Sequence, residues 1–158
     1  MGMTNTSSLE LDLAALLSAR LCHDLAGPVG AVNNGAELLI EDGAESIGDA
    51  RDLIPNCAGQ AVRRLRFYRL AYGSHHGSMD WTGALQTSAA MLTDSKIAFD
   101  WQGAYDGAKD HDIAGAGKFA LNMVLLAVNA LPRGGKLEFA AAGEAARRAS
   151  RCAVKARW

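Results

Sequence analysis

Leu17 to Leu39 reads LSARLCHDLAGPVGAVNNGAELL, and this stretch decides the fold. Apolar or small residues recur at Leu21, Leu25, Pro28, Val32, Gly35 and Leu39, with spacings of 4, 3, 4, 3 and 4. That alternation is the seam of a helix packed side by side with another. With Leu25 at heptad position a and Leu21 and Pro28 at d, His23 falls at f, the position facing most directly away from the seam.

The pattern extends in both directions to predict one long helix over 9–41, with Ser7 or Ser8 capping its start and Asp42-Gly43 ending it. A second helix is predicted over 45–72. Its seam is Ile54, Ala58, Ala61, Leu65, Tyr68 and Tyr72, with the same alternation. The connection is a few residues, so the two helices form an antiparallel hairpin. Two helices bury one stripe each and leave little core, which points to dimerisation into a four-helix bundle.

Gly73 to Ser78 (GSHHGS) is a polar break and the expected domain boundary, separating a hairpin at 8–73 from a second domain at 79–158. Beyond it the pattern changes. Residues 82–92 read as a helix, 97–101 as a strand, 113–131 as a helix stopped by Pro132, and 136–142 and 152–157 as strands. The chain as a whole is therefore of the α+β class, its second part a small layer with helices on one sheet face. Trp81 and Trp101 are its expected aromatic anchors.

An exposed imidazole in mid-helix keeps a free nitrogen for attack on phosphorus. Asp24 is adjacent, and a carboxylate that accepts a hydrogen bond from one ring nitrogen fixes the tautomer and leaves the other as nucleophile. Pro28 has no N–H for the carbonyl four residues back, that of Asp24, so the helix should loosen or kink one turn from the histidine. The neighbours of His23 on its own face are Ala26, Gly27, Gly30 and Ala31. All are small, which leaves a shallow surface for a partner to approach. Glycine inside a helix costs about 1 kcal/mol relative to alanine, so Gly27, Gly30 and Gly35 ask for a reason such as close approach.

Composition narrows the function. The net charge of −1 favours neither nucleic acid nor membrane surfaces. No apolar run approaches the ~20 residues of a bilayer span, and the polar stretch MGMTNTSSLELD at the start does not read as a signal peptide. The 3 cysteines, Cys22, Cys57 and Cys152, are far apart and read as buried or half-buried thiols of a reducing cytoplasm. His75, His76 and His111 lack companions at metal-ligand spacing, so no metal site is expected.

These residues resemble a known family. His-Asp-x-x-x-Pro on the first helix of a hairpin is similar to the phosphoacceptor box of histidine kinase dimerisation domains. The fuller string from Leu17 to Leu39 resembles the ChpT-type histidine phosphotransferases of alphaproteobacteria more closely. AVRRLRFYRLAYG, Ala61 to Gly73, looks like that family's Arg- and aromatic-rich second helix, and Met79 to Trp158 looks like the front of a GHKL-type ATPase domain. The resemblance implies a cytoplasmic homodimer with a four-helix bundle and a small, incomplete, degenerate GHKL-like α/β sandwich on each hairpin. His23 would relay a phosphoryl group between the aspartates of two response-regulator receiver domains, one on a donor hybrid kinase and one on a downstream regulator. Asp24 would support it. Arg20, Ala26, Gly27, Gly30, Ala31, Arg63 and Arg66 are the candidate partner contacts; basic side chains on the second helix suit an acidic receiver face.

The degeneracy is legible residue by residue. GHKL ATPases carry N-x-x-x-N-A on a helix; here the string is Asn122-Met123-Val124-Leu125-Leu126-Ala127. Leu126 stands where the second Asn would help hold Mg²⁺, and a leucine offers no oxygen ligand. No Asp-x-Gly-x-Gly segment or Walker loop follows. ATP is therefore not expected as a cofactor, and Mg²⁺ is expected only on the partner receiver. Gly27, four residues after the histidine, cannot orient a water, which disfavours a phosphatase role. The alternatives are a non-catalytic receiver-binding dimer and a fragment of an ATP-dependent histidine kinase.

Overall fold

The computed structural model describes residues 4–41, 47–73, 81–101, 115–142 and 151–157. Their elements are α1 (Thr4–Glu41), α2 (Ile47–Tyr72), α3 (Trp81–Leu92), β1 (Ile97–Asp100), α4 (Ala116–Asn129), β2 (Gly135–Ala142) and β3 (Arg151–Arg157). The chain divides into two compact units, Met1–Leu65 and Arg66–Trp158, with the boundary falling within the residues of α2.

In the first unit α1 begins at Thr4, so Ser7 and Ser8 lie within the helix and do not cap it. Nothing at these positions interrupts helical geometry, and the helix simply starts earlier. The predicted stop at Asp42-Gly43 lies outside the described residues. α1 is one continuous helix that contains Pro28, the position at which the missing N–H predicts loosening or a kink.

Two contacts fix the direction of α2 against α1. Gly35 meets Leu53 and Ile54, while Asp24 meets Arg64. Moving back along α1 moves forward along α2, so the helices are antiparallel. Among the described residues of this unit Pro28, Gly35, Ala50 and Ala61 are buried, and the larger seam residues Leu21, Leu25, Val32 and Ile54 are half-buried. Among the described residues of this unit no large side chain is fully buried. One stripe per helix makes a thin core.

The second unit opens with the last turns of α2, where Phe67, Tyr68 and Ala71 are buried. Phe67 meets Tyr68 edge-on at 5.7 Å between ring centroids. The three strands form one sheet in the order β1-β2-β3. β1 and β2 are parallel, with Ile97 opposite Gly135, and β2 and β3 are antiparallel. A parallel pair needs a crossover, and α4 lies between them in the chain. α3 packs on α4; α3 touches β1, and α4 touches β2 and β3.

Alternation sorts the strands. Ile97, Leu137 and Phe139 are buried with Leu85, Leu121 and Val124 of the helices, and Trp81 stacks obliquely on Phe139 at 5.9 Å. Trp81 is therefore a core anchor, whereas Trp101 is half-buried. Asp100, Lys136 and Glu138 take the opposite parity. Lys136 Nζ lies 2.9 Å from Glu138 and 3.5 Å from Asp100. Glu138, and beyond it Asp100, hold this ammonium above its ordinary range. Any stability it adds is present below the ordinary lysine range and is lost as pH rises through the raised value. The hydroxyls of Thr87 and Ser88 in α3 donate to the carbonyls of Gly83 and Ala84 and are thereby satisfied.

Two glycines set the ends of α4 and β2. Gly115 takes a left-handed φ of 88° ahead of Ala116, and the described helix starts there, short of the predicted 113; residues 113 and 114 lie outside the described residues. Gly134 has φ 91°, and a Cβ there would come within 2.5 Å of the Lys96 carbonyl oxygen. The neighbouring Gly135 N–H donates to that same oxygen at 3.0 Å, which starts the parallel pairing. Gly134→Ala therefore meets both backbone strain and a backbone clash. We expect it to cost about 2–3 kcal/mol in urea denaturation; a loss below about 0.5 kcal/mol would show that the turn relaxes freely.

Candidate active site

α1 presents His23 to solvent, with 85% of its side chain exposed, as heptad position f requires. Its Nδ1 lies 3.0 Å from Oδ1 of Asp24. An ionised carboxylate accepts and cannot donate, so in the neutral imidazole this contact places the proton on Nδ1 and leaves the lone pair on Nε2. Asp24 is only 17% exposed in its side chain, and its other oxygen, Oδ2, accepts from Arg20 Nε at 2.8 Å. The carboxylate thus bridges the imidazole and a guanidinium, i,i+4 on one helix.

The carbonyl of Asp24 is the one that Pro28 leaves without an intrahelical donor. Arg64 Nη1, 40 residues away on α2, donates to it. Sequence reading identified the vacant carbonyl but not its partner, because α1 periodicity carries no information about which α2 side chain lies opposite.

The other expected contact residues fall into distinct settings. Ala26, Gly27 and Gly30 are exposed and Ala31 is half-buried. A Cβ built on Gly27 or Gly30 would meet nothing within 4 Å, so the surface around His23 is open. Gly35 differs: its Cβ would lie 2.7 Å from Ile54 Cγ1, and here the glycine serves helix packing. Arg20 is on Asp24. Arg63 is half-buried, its guanidinium lying over Gly59. Arg66 is exposed on the part of α2 that belongs to the second unit.

This contrast between glycines is testable. Gly30→Ala should gain about 1 kcal/mol from helix propensity with nothing to clash. Gly35→Ala should lose about 1–2 kcal/mol net, because overpacking against Ile54 outweighs that gain. Urea midpoints moving the same way for both would refute this assignment of roles.

Cys22 is exposed and Cys57 half-buried, so the expectation of buried thiols fails at Cys22, which sits one residue from f on the outer side of the helix. Cys22 and His23 project ~100° apart and form no catalytic pair. In α4 the Asn122 side-chain amide donates to the Lys118 carbonyl at 2.8 Å, and Leu126 is exposed. Among the described residues no group of three His, Cys, Asp or Glu side chains could hold a metal; His75, His76 and His111 lie outside them. Among the described residues no helix is long and apolar enough to cross a membrane.

A hairpin that exposes a carboxylate-paired histidine is thus followed in the chain by a small α/β layer. Residues 83–157 match the family model of the histidine phosphotransferase C-terminal domain. Over 130 residues, 80% of its length, the chain is 41% identical to the protein phosphotransferase ChpT of Brucella abortus (strain 2308), and it spans 59% of that relative. It also superposes on a 1.7 Å structure of a bacterial phosphotransferase with a TM-score of 0.70 at 40% identity, covering 85% of this chain and 62% of that one. Over most of its own length this chain is thus similar to a ChpT-type phosphotransferase, and the resemblance stated from the sequence is borne out.

Proposed function

We propose that this chain is a phosphorelay histidine phosphotransferase that carries a phosphoryl group on Nε2 of His23. The observation that carries this reading is an exposed imidazole whose Nδ1 is committed to Asp24, on a helix face kept open by Gly27 and Gly30. The donor is the aspartyl phosphate of a receiver domain. Nε2 attacks phosphorus in line, the N–P bond forms, the acyl-phosphate O–P bond breaks, and the receiver carboxylate leaves. The imidazole gains positive charge as it attacks, and Asp24, hydrogen-bonded at Nδ1–H, stabilises that charge. The reverse sequence delivers the group to a second receiver.

Mg²⁺ is held by the receiver's carboxylates, and no ATP is used on this chain. Leu126 supports this: it presents hydrocarbon where an ATPase needs an oxygen ligand, while the Asn122 amide is engaged with the Lys118 carbonyl. The working form is a cytoplasmic homodimer with a four-helix bundle. Leu11 and Leu39 of α1 and Leu65 of α2, on the seams or their continuation, are large, apolar and exposed, and a second copy would cover them.

The test is transfer of radiolabel from phospho-receivers to this protein with ATP omitted. Acid-labile label on the protein supports the relay. Receiver binding without any label, from receivers that phosphorylate a control phosphotransferase, would favour a binding-only dimer. Label that appears only with ATP would favour a kinase fragment.

A further inference from the structure

We infer that Arg64 is a positioning residue for His23, acting through the backbone of Asp24; the inference rests on the phosphotransferase reading for its consequence but not for its geometry. The chain of contacts is short. Pro28 removes the N–H that would bond the Asp24 carbonyl. A part-buried carbonyl without a donor is unfavourable and would move toward water, rotating its peptide unit. Arg64 Nη1 supplies the donor from the opposite helix. Arg20 Nε meanwhile holds Oδ2 of the same residue. Asp24 is therefore gripped at backbone and side chain by two guanidiniums on different helices, and its remaining oxygen, Oδ1, is aimed at His23 Nδ1.

Arg64 thus differs in role from Arg63 and Arg66. Its guanidinium is turned into the hairpin, and its effect reaches a partner only through the tautomer and orientation of His23. Without it the Asp24 peptide is freer, Oδ1 leaves Nδ1 more often, and a larger share of imidazoles carry the proton on Nε2, where they cannot attack. The pair Pro28 and Arg64 is also an exchangeable one. A residue with an N–H at 28 would fill the carbonyl from within the helix and make the guanidinium redundant.

That exchange supplies the experiment. Arg64→Met, Arg64→Lys, Pro28→Ala and the Pro28→Ala/Arg64→Met double variant are compared in the full chain. One readout is the initial rate of label transfer from a phospho-receiver; the other is the His23 tautomer, read from ¹⁵N shifts at alkaline pH. Arg64→Met is expected to slow transfer about tenfold and to shift the tautomer toward Nε2–H, and Arg64→Lys to recover part of both. In the Pro28→Ala background, Arg64→Met is expected to change either readout less than twofold, since contacting residues couple. Equal losses in both backgrounds, or an Arg64→Met protein with wild-type tautomer and rate, would overturn the inference. If Arg64→Met alone does not fold, the double variant against Pro28→Ala decides. If the wild type takes no label at all, the relay reading fails, while the tautomer shift still decides the role of Arg64.

Discussion

His23→Gln is expected to abolish acid-labile labelling while leaving the fold intact. Glutamine has nearly the reach of histidine and its hydrogen-bonding character, but its amide nitrogen is no nucleophile and forms no phosphoramidate. With 85% of its side chain in solvent, His23 contributes little packing, so stability should stay within about 0.5 kcal/mol of wild type. The relevant measurement is label per protomer after incubation with phospho-receiver, beside a urea curve for the same preparation. Retained label on the variant would place the phosphoacceptor elsewhere and remove the basis for the relay. Lost label together with lost stability would instead assign His23 a structural role that its exposure argues against. Receiver binding should persist, because Gly27, Gly30 and the surrounding face are untouched.

Phe67→Ala is expected to cost about 3–5 kcal/mol, the range for deleting a fully buried aromatic ring. Phe67 has no exposed surface, and its ring lies edge-on to Tyr68, which stacks on Tyr72 at 5.8 Å. Phe67 belongs to the second unit, Arg66–Trp158. Urea denaturation followed by Trp81 fluorescence reads this unit directly, because Trp81 is buried against Phe139. A loss below about 1 kcal/mol would show that the ring is not in that core. Leu65→Ala, two residues earlier and half exposed, is the natural comparison and should cost far less.

Periodicity made much of the architecture legible. The 4-3 spacing through Leu21, Pro28 and Gly35 placed α1, and the matching seam through Ile54 and Ala61 placed α2; burial at Pro28, Gly35 and Ala61 follows that assignment. Residues 97–101 and 136–142 read as strands, and β1 and β2 lie there; which of their residues face inward, Ile97, Leu137 and Phe139, is a property of the fold. Element ends were less legible. Ser7 and Ser8 are good caps in isolation, yet a cap forms only where the chain leaves helical geometry, and α1 continues back to Thr4. Likewise the start of α4 depends on the left-handed φ of Gly115, a backbone state that composition permits but does not announce.

At the site, the sequence by itself determined the outward position of His23, its pairing with Asp24, the small residues beside it and the carbonyl orphaned by Pro28. Each is a matter of spacing along one helix, where geometry repeats every few residues. Only the tertiary structure decided that Arg64 fills that carbonyl, that Gly35 serves packing while Gly27 and Gly30 stay open, and that Phe67 belongs with the sheet unit. These depend on which residues of a second element lie opposite, a register set by residues 18 to 40 positions apart in the chain; no local period encodes it.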